Sequence, residues 1–158
     1  MKEEKTQKLA KTVYKTLCEM LDDRKWHYRK DEENLTISCD VQGDDLPMEI
    51  RVVVDAKRQL AIVYSPMSFV VPESRRAAIA VAVSRANYKM VDGSFDYDYV
   101  NGKILFRLTS SWRDSLIGKE MFAYMLQCSC ATVDNYNDKF LAVAKQDMSV
   151  DEVVKFVE

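Results

Sequence analysis

Residues 48–65 read Met-Glu-Ile-Arg-Val-Val-Val-Asp-Ala-Lys-Arg-Gln-Leu-Ala-Ile-Val-Tyr-Ser, and this stretch decides the fold class. Met48, Ile50, Val52 and Val54 occupy alternate positions, the period of a strand with one apolar face. Leu60, Ile62 and Tyr64 repeat that period on the way back. A three-residue loop, Ala56 to Arg58, sets both apolar series on one face, whereas a two-residue loop would bring Arg51 beside Ile62. The reading is therefore an antiparallel hairpin with a three-residue loop, which leaves Val53, Ala61 and Val63 on its reverse side.

The same period extends in both directions. Upstream, Asp31-Glu32-Glu33-Asn34 closes a hairpin that sets Tyr28 opposite Ile37 and Trp26 opposite Cys39. Downstream, Asn101-Gly102 is a favoured two-residue turn pair. It places Tyr99 opposite Ile104, Tyr97 opposite Phe106 and Phe95 opposite Leu108, with Asp96 against Arg107 on the other face. The result is one antiparallel sheet with an apolar, aromatic side. Its reverse side carries Thr36, Ser38, Asp40, Glu49, Arg51, Asp96, Asp98 and Arg107 and faces mostly water.

Helical periods flank the strands. Leu9, Val13, Leu17, Met20 and Leu21 mark an amphipathic helix from about Thr6 to Asp22. Pro72-Glu73-Ser74 opens a segment to about Met90 that is rich in Ala and Arg; Ile79, Val81 and Val83 alternate and keep a strand open, but length favours helix. From Gly118 to Lys145, Phe122, Met125, Leu126, Val133, Tyr136, Phe140 and Leu141 keep a helical period, with a break expected near Asp134-Asn135. Ser149-Val150-Asp151-Glu152 is a capping box that starts a last helix. The order is α-β-β-β-β-α-β-β-α-α, an α+β protein with its helices packed on one face of an antiparallel sheet.

The 158 residues fit one domain, residues 1–158, long enough to bury roughly 68–70% of the unfolded surface. Apolar residues at 47%, charged residues at 30% and only four glycines describe an ordinary globular chain. A net charge of −2 with interleaved signs argues against nucleic acid and an anionic membrane as partners. There is no signal-like or membrane-length apolar run, so a cytoplasmic protein is expected, with Cys18, Cys39, Cys128 and Cys130 reduced.

Catalytic, cofactor and metal sites are not readable. His27 alternates with Trp26 and Tyr28 and should point to the polar face, without a nucleophile beside it. Cys128 and Cys130, two apart on a helix, point to different sides. Asp96 and Asp98, and Asp44 and Asp45, read as solvated acids. No glycine-rich phosphate loop is present. Two features exceed a plain solvated shell. Ala77 to Val83 holds no polar residue, so a second cover is expected over Ala77, Ala78, Val81 and Ala82, either from the chain's own long helix or from a second subunit. On the reverse sheet face, Val53, Ala61, Val63 and Leu105 form a small apolar stripe, a second candidate contact surface.

The element order resembles one known family. So do Asn87-Tyr88 through Gly93-Ser94-Phe95, the Asn101-Gly102 hairpin with Phe106-Arg107, Val133-Asp134-Asn135-Tyr136 through Phe140-Leu141, and the capped tail. Together they resemble the YbjN family of bacterial sensory transduction regulators, whose domain is similar to the type III secretion chaperone fold. The chain departs from the family at Lys145-Gln146-Asp147, which stands where the family has a glycine after its long helix. The resemblance implies a bacterial, cytoplasmic, non-enzymatic protein, homodimeric and engaged in regulation or in holding another protein, with no catalytic residues to carry over. A small-ligand binder or enzyme with an unrecognised polar pocket is the alternative; contact with nucleic acid through Arg75, Arg76 and Arg85 is a weaker third.

Overall fold

The computed structural model describes residues 1–158. Four helices, α1 (Lys2–Asp23), α2 (Arg76–Asn87), α3 (Lys119–Lys145) and α4 (Val150–Phe156), accompany six strands. The strands are β1 (Arg29–Asp31), β2 (Thr36–Gln42), β3 (Pro47–Asp55), β4 (Leu60–Pro66), β5 (Ser94–Asp98) and β6 (Lys103–Ser111). They form one antiparallel sheet in the order β1-β2-β3-β4-β6-β5, so the class and element order expected from the sequence hold. Helices α1 and α3 lie across one sheet face, and 37 buried residues from Ala10 to Val157 make one continuous core.

The helix ends follow from local chemistry. After Asp23 the chain turns through Lys25 at φ 58°. The Trp26 amide donates to the Leu21 carbonyl at 2.9 Å and the Lys25 amide to Asp22 at 3.0 Å, the paired bonds of a Schellman stop. The break expected at Asp134-Asn135 does not occur: α3 runs unbroken, with Val133 and Phe140 buried on either side. Asp134 spends its carboxylate on the Asp44 amide at 2.9 Å instead of competing for its own backbone. The capping box of α4 is formed, Ser149 Oγ accepting from the Glu152 amide and Glu152 Oε2 from the Ser149 amide. Those bonds, the one to the Ser149 backbone first, hold the Glu152 carboxyl below its ordinary pKa.

The three hairpin loops whose length the sequence set, those after β1, β3 and β5, are longer than expected, for one shared reason. Each has four residues, 32–35, 56–59 and 99–102, between the pairs Asp31↔Thr36, Asp55↔Leu60 and Asp98↔Lys103. The aspartate that ends each first strand accepts loop amides. Asp31 takes Asn34 at 3.0 Å, Asp55 takes Arg58 at 2.8 Å, and Asp98 takes Val100 and Asn101 at 3.1 and 3.2 Å. The fourth loop residue is left-handed in every case: Leu35 at φ 50°, Gln59 at 59° and Gly102 at 68°.

In the outer hairpins the extra length shifts the register by two and keeps the faces. Lys30, not Tyr28, lies opposite Ile37, and Trp26 and Tyr28 precede β1 and pack on the core from outside the ladder. Phe95 pairs with Phe106 and Tyr97 with Ile104, while Asp96 lies opposite Leu105 and reaches Arg107 diagonally. In the central hairpin the shift is by one, which turns every β4 side chain over. Ala61 and Val63 are therefore core residues at 0% exposure, and Leu60, Ile62 and Tyr64 take the outer face; the expected placement of both sets is corrected.

Left-handed Lys25 and Gln59 each carry a Cβ that the conformation disfavours by about 1–2 kcal/mol, partly offset by the greater unfolded-state entropy of glycine. Lys25→Gly and Gln59→Gly are each expected to stabilise the protein by about 0.5–1 kcal/mol. A higher denaturation midpoint at unchanged urea m-value checks this.

Asn87, the last residue of α2, clamps the open side of β5. Its Oδ1 accepts from the Phe95 amide at 2.8 Å and its Nδ2 donates to the Phe95 carbonyl at 2.9 Å. The side chain thus stands in for a neighbouring strand at this edge. Asn87→Ala strands both groups and is expected to cost about 1–3 kcal/mol. Hydrogen exchange of the Phe95 amide should rise selectively; an unchanged rate would contradict the clamp.

Candidate partner-binding surfaces

Helix α2 received two possible covers from the sequence, and the chain itself supplies most of what it needs. The helix packs against β5, α3 and α4, burying Ile79, Ala82, Val83 and Ala86. Ala82, expected among the contact residues, is at 0% exposure and belongs to the core. The seven-residue α4 was not foreseen in this role: Val153 and Val157 plug into the core, and Arg85 Nη2 bonds Glu158 Oε1 at 2.5 Å. What stays accessible is Ala77, half of Ala78 and Val81, and a shallow groove of about 570 Å³ lined by Ala80, Val81, Ser84, Arg85, Tyr88 and Val154.

The outer face of the sheet is different, because no helix covers it. Ile62 is only 5% exposed, yet it stands outside the core cluster, on the side of β4 that turns away from α1 and α3. Val53 on β3 lies directly opposite it, and Leu60, Tyr64 and Leu105 are half-buried on the same face. Val53 and Leu105 thus stand where the sequence placed them, while Ile62, Leu60 and Tyr64 replace Ala61 and Val63. The signal that would have found them is the aspartate at the end of each first strand, Asp31, Asp55 and Asp98, which marks the same four-residue loop three times.

Ion pairs rim this stripe. Arg29 Nη1 meets Asp40 Oδ2 at 3.0 Å, Arg51 Nη2 meets Glu49 Oε1 at 2.7 Å, and Arg107 holds both Asp96 oxygens at 2.7 and 3.0 Å. Hydrogen bonds to Asp40 and Asp96 raise the Arg29 and Arg107 guanidinium pKa values above the ordinary one. The uncovered sheet face thus has an apolar centre, Val53, Leu60, Ile62, Tyr64 and Leu105, inside a rim of arginines and acids.

The other candidate chemistries find less. An open cleft of about 890 Å³ lies between the β2–β3 loop, the residues after α2 and the middle of α3, lined among others by Asp44, Asp45, Tyr88, Lys89, Asp134 and Lys139. It brings acids and lysines together without a histidine, serine or cysteine in its wall. His27 is exposed ahead of β1. No three potential metal-ligating side chains converge. Cys39 and Cys130 are buried enough that desolvation pushes their thiols up to about 12 and about 11, so both remain neutral and poorly nucleophilic near pH 7. The three arginines on and before α2 are committed within the chain: Arg75 to the Val143 carbonyl, Arg76 to the Val100 carbonyl and Arg85 to Glu158. No helix is long and apolar enough to cross a membrane.

Comparison with known proteins bears on the fold and the family. A chain of the ExsC–ExsE complex superposes at a TM-score of 0.55 with 15% identity, over 82% of this chain and 94% of that one. YbjN of E. coli, described as a putative transcription regulator, superposes at 0.56 with 15% identity, over 77% and 85% of the two chains. Both likenesses concern the fold, and they agree with the chaperone-like fold that the family resemblance implied. No protein of curated function matches the sequence. The sequence profile of YbjN, "Putative bacterial sensory transduction regulator", matches residues 14–142, from the middle of α1 to near the end of α3. With the family profile matching most of the chain, the protein is a member of the YbjN family.

Proposed function

We propose that this protein is a non-enzymatic regulatory module of the bacterial cytoplasm, one domain over residues 1–158, that works by protein–protein contact and as a homodimer. The observation that carries this reading is the one sheet face that no helix covers: Val53, Leu60, Tyr64 and Leu105 stand half-buried on it around the nearly buried Ile62, inside a rim of three ion pairs. Isolated apolar residues on a surface need no function, but a contiguous apolar stripe rimmed by charge is what contact surfaces use. Family membership supports a regulatory role, and the ExsC–ExsE complex offers a similar fold occupied with a second protein. The groove between α2 and α4 remains open for a further protein partner.

Light scattering of the purified chain over a concentration series tests the reading. A mass near twice 18.3 kDa at micromolar concentration is expected. A chain that stays at its monomer mass throughout overturns the homodimer.

A further inference from the structure

The outer sheet face has a symmetry of its own, and we infer that its occupant is a second copy of this chain, docked face to face about a two-fold axis that runs along the strands between β3 and β4. This deepens the homodimer reading and rests on it. The axis is the natural one because β3 and β4 are the middle of the strand order, with two strands outside each.

The registers give the consequences. One row across the face reads Arg29, Ser38, Arg51, Tyr64, Arg107, Ser94, with an arginine on every second strand. Rotation about the axis lays β3 on the partner's β4, β2 on its β6 and β1 on its β5. Every arginine then meets a neutral side chain: Arg51 the partner's Tyr64, Arg107 the partner's Ser38 and Arg29 the partner's Ser94. Arg51 over a tyrosine ring is a favourable cation–π arrangement. In the adjacent row, Val53 meets the partner's Ile62 and Thr36 meets the partner's Thr109, so the apolar centres of the two faces coincide. No arginine faces an arginine, the condition a self-complementary charged surface has to meet.

The size is sufficient. The strands are about 4.8 Å apart; β2, β3, β4 and β6 carry four or five outward residues at about 6.6 Å intervals and the shorter β1 and β5 two and three, so the facing rows present roughly 500 Å² per copy and the pair buries about 1,000 Å², the lower bound for a specific contact. Twisted sheets stack with their mean strand directions within about 30° of each other, so the contact is closest at the two central strands.

Two measurements test the register. Val53→Cys and Ile62→Cys chains are mixed, oxidised with copper phenanthroline and mapped by mass spectrometry, beside Ala77→Cys as a probe of the α2 face and the parent chain as background. A disulfide between position 53 of one chain and position 62 of the other is expected. Arg51→Glu, at an exposed position, should keep the far-ultraviolet dichroism and raise the dimer dissociation constant at least tenfold, because a carboxylate then lies against the partner's Tyr64 ring. A dimer that links through Ala77→Cys and not between 53 and 62, with Arg51→Glu associating normally, overturns this interface and leaves the homodimer standing. A monomer at every concentration overturns both.

Discussion

Replacing Phe106 with alanine is expected to lower the unfolding free energy by about 3–5 kcal/mol, the usual cost of emptying a buried phenylalanine site. Phe106 is at 0% exposure on the core face of β6. Its ring meets Phe95 edge to face at 5.3 Å, and Phe95 in turn meets Phe140 at 4.9 Å and Tyr136 at 5.5 Å, so one aromatic cluster joins β5, β6 and α3. Such pairs add about 0.5–1.5 kcal/mol beyond the area they bury, and neighbours this tightly packed cannot relax to fill the void. A small domain holds only about 5–15 kcal/mol in total, so the variant should unfold near ambient temperature or at low urea. Urea titration with an unchanged m-value checks it. A loss under 1 kcal/mol would mean that the cluster does not anchor the β5–β6 hairpin.

Gly93→Ala attacks the same cluster from the backbone. Gly93 sits at φ 78°, and a Cβ there would stand 2.4 Å from Phe106 Cζ and 3.0 Å from the Arg107 carbonyl oxygen. The left-handed conformation costs a side chain about 1–2 kcal/mol and overpacking about 1–3 more, together about 2–5 kcal/mol. Gly118 is the contrast: a Cβ there meets nothing within 4 Å, so Gly118→Ala should cost about 1 kcal/mol or less, a helix-cap preference only. Thermal unfolding of the two variants side by side separates them, and equal melting temperatures would contradict the close approach at Gly93.

The sheet, its apolar face and the helix order were legible in the sequence because each rests on a periodicity that local residues carry alone. The registers were not, because each depends on one left-handed residue at the end of a loop. Gly102 advertises that conformation; Leu35 and Gln59 adopt it without glycine, held by the aspartate at the start of the loop. In the outer hairpins the shift of two left every side chain on its expected face. In the central one a shift of one exchanged Ile62 for Val63, and with it half of the candidate contact surface. The cover of α2 was half legible: the apolar run Ala77 to Val83 calls for a second cover, but which element provides it depends on where the seven-residue α4 folds back, through contacts of Val153 and Val157 that no local pattern encodes.

The most direct test of the outer sheet face as a contact surface is methyl nuclear magnetic resonance of the intact protein across a hundredfold dilution. The methyl signals of Val53, Ile62 and Leu105 are predicted to shift together with concentration, tracking the mass measured by light scattering, while those of Ile79, Ala82 and Val63 in the core stay fixed. Unmoved signals at Val53 and Ile62, with shifts instead at Ala77 and Val81 on α2, would contradict it.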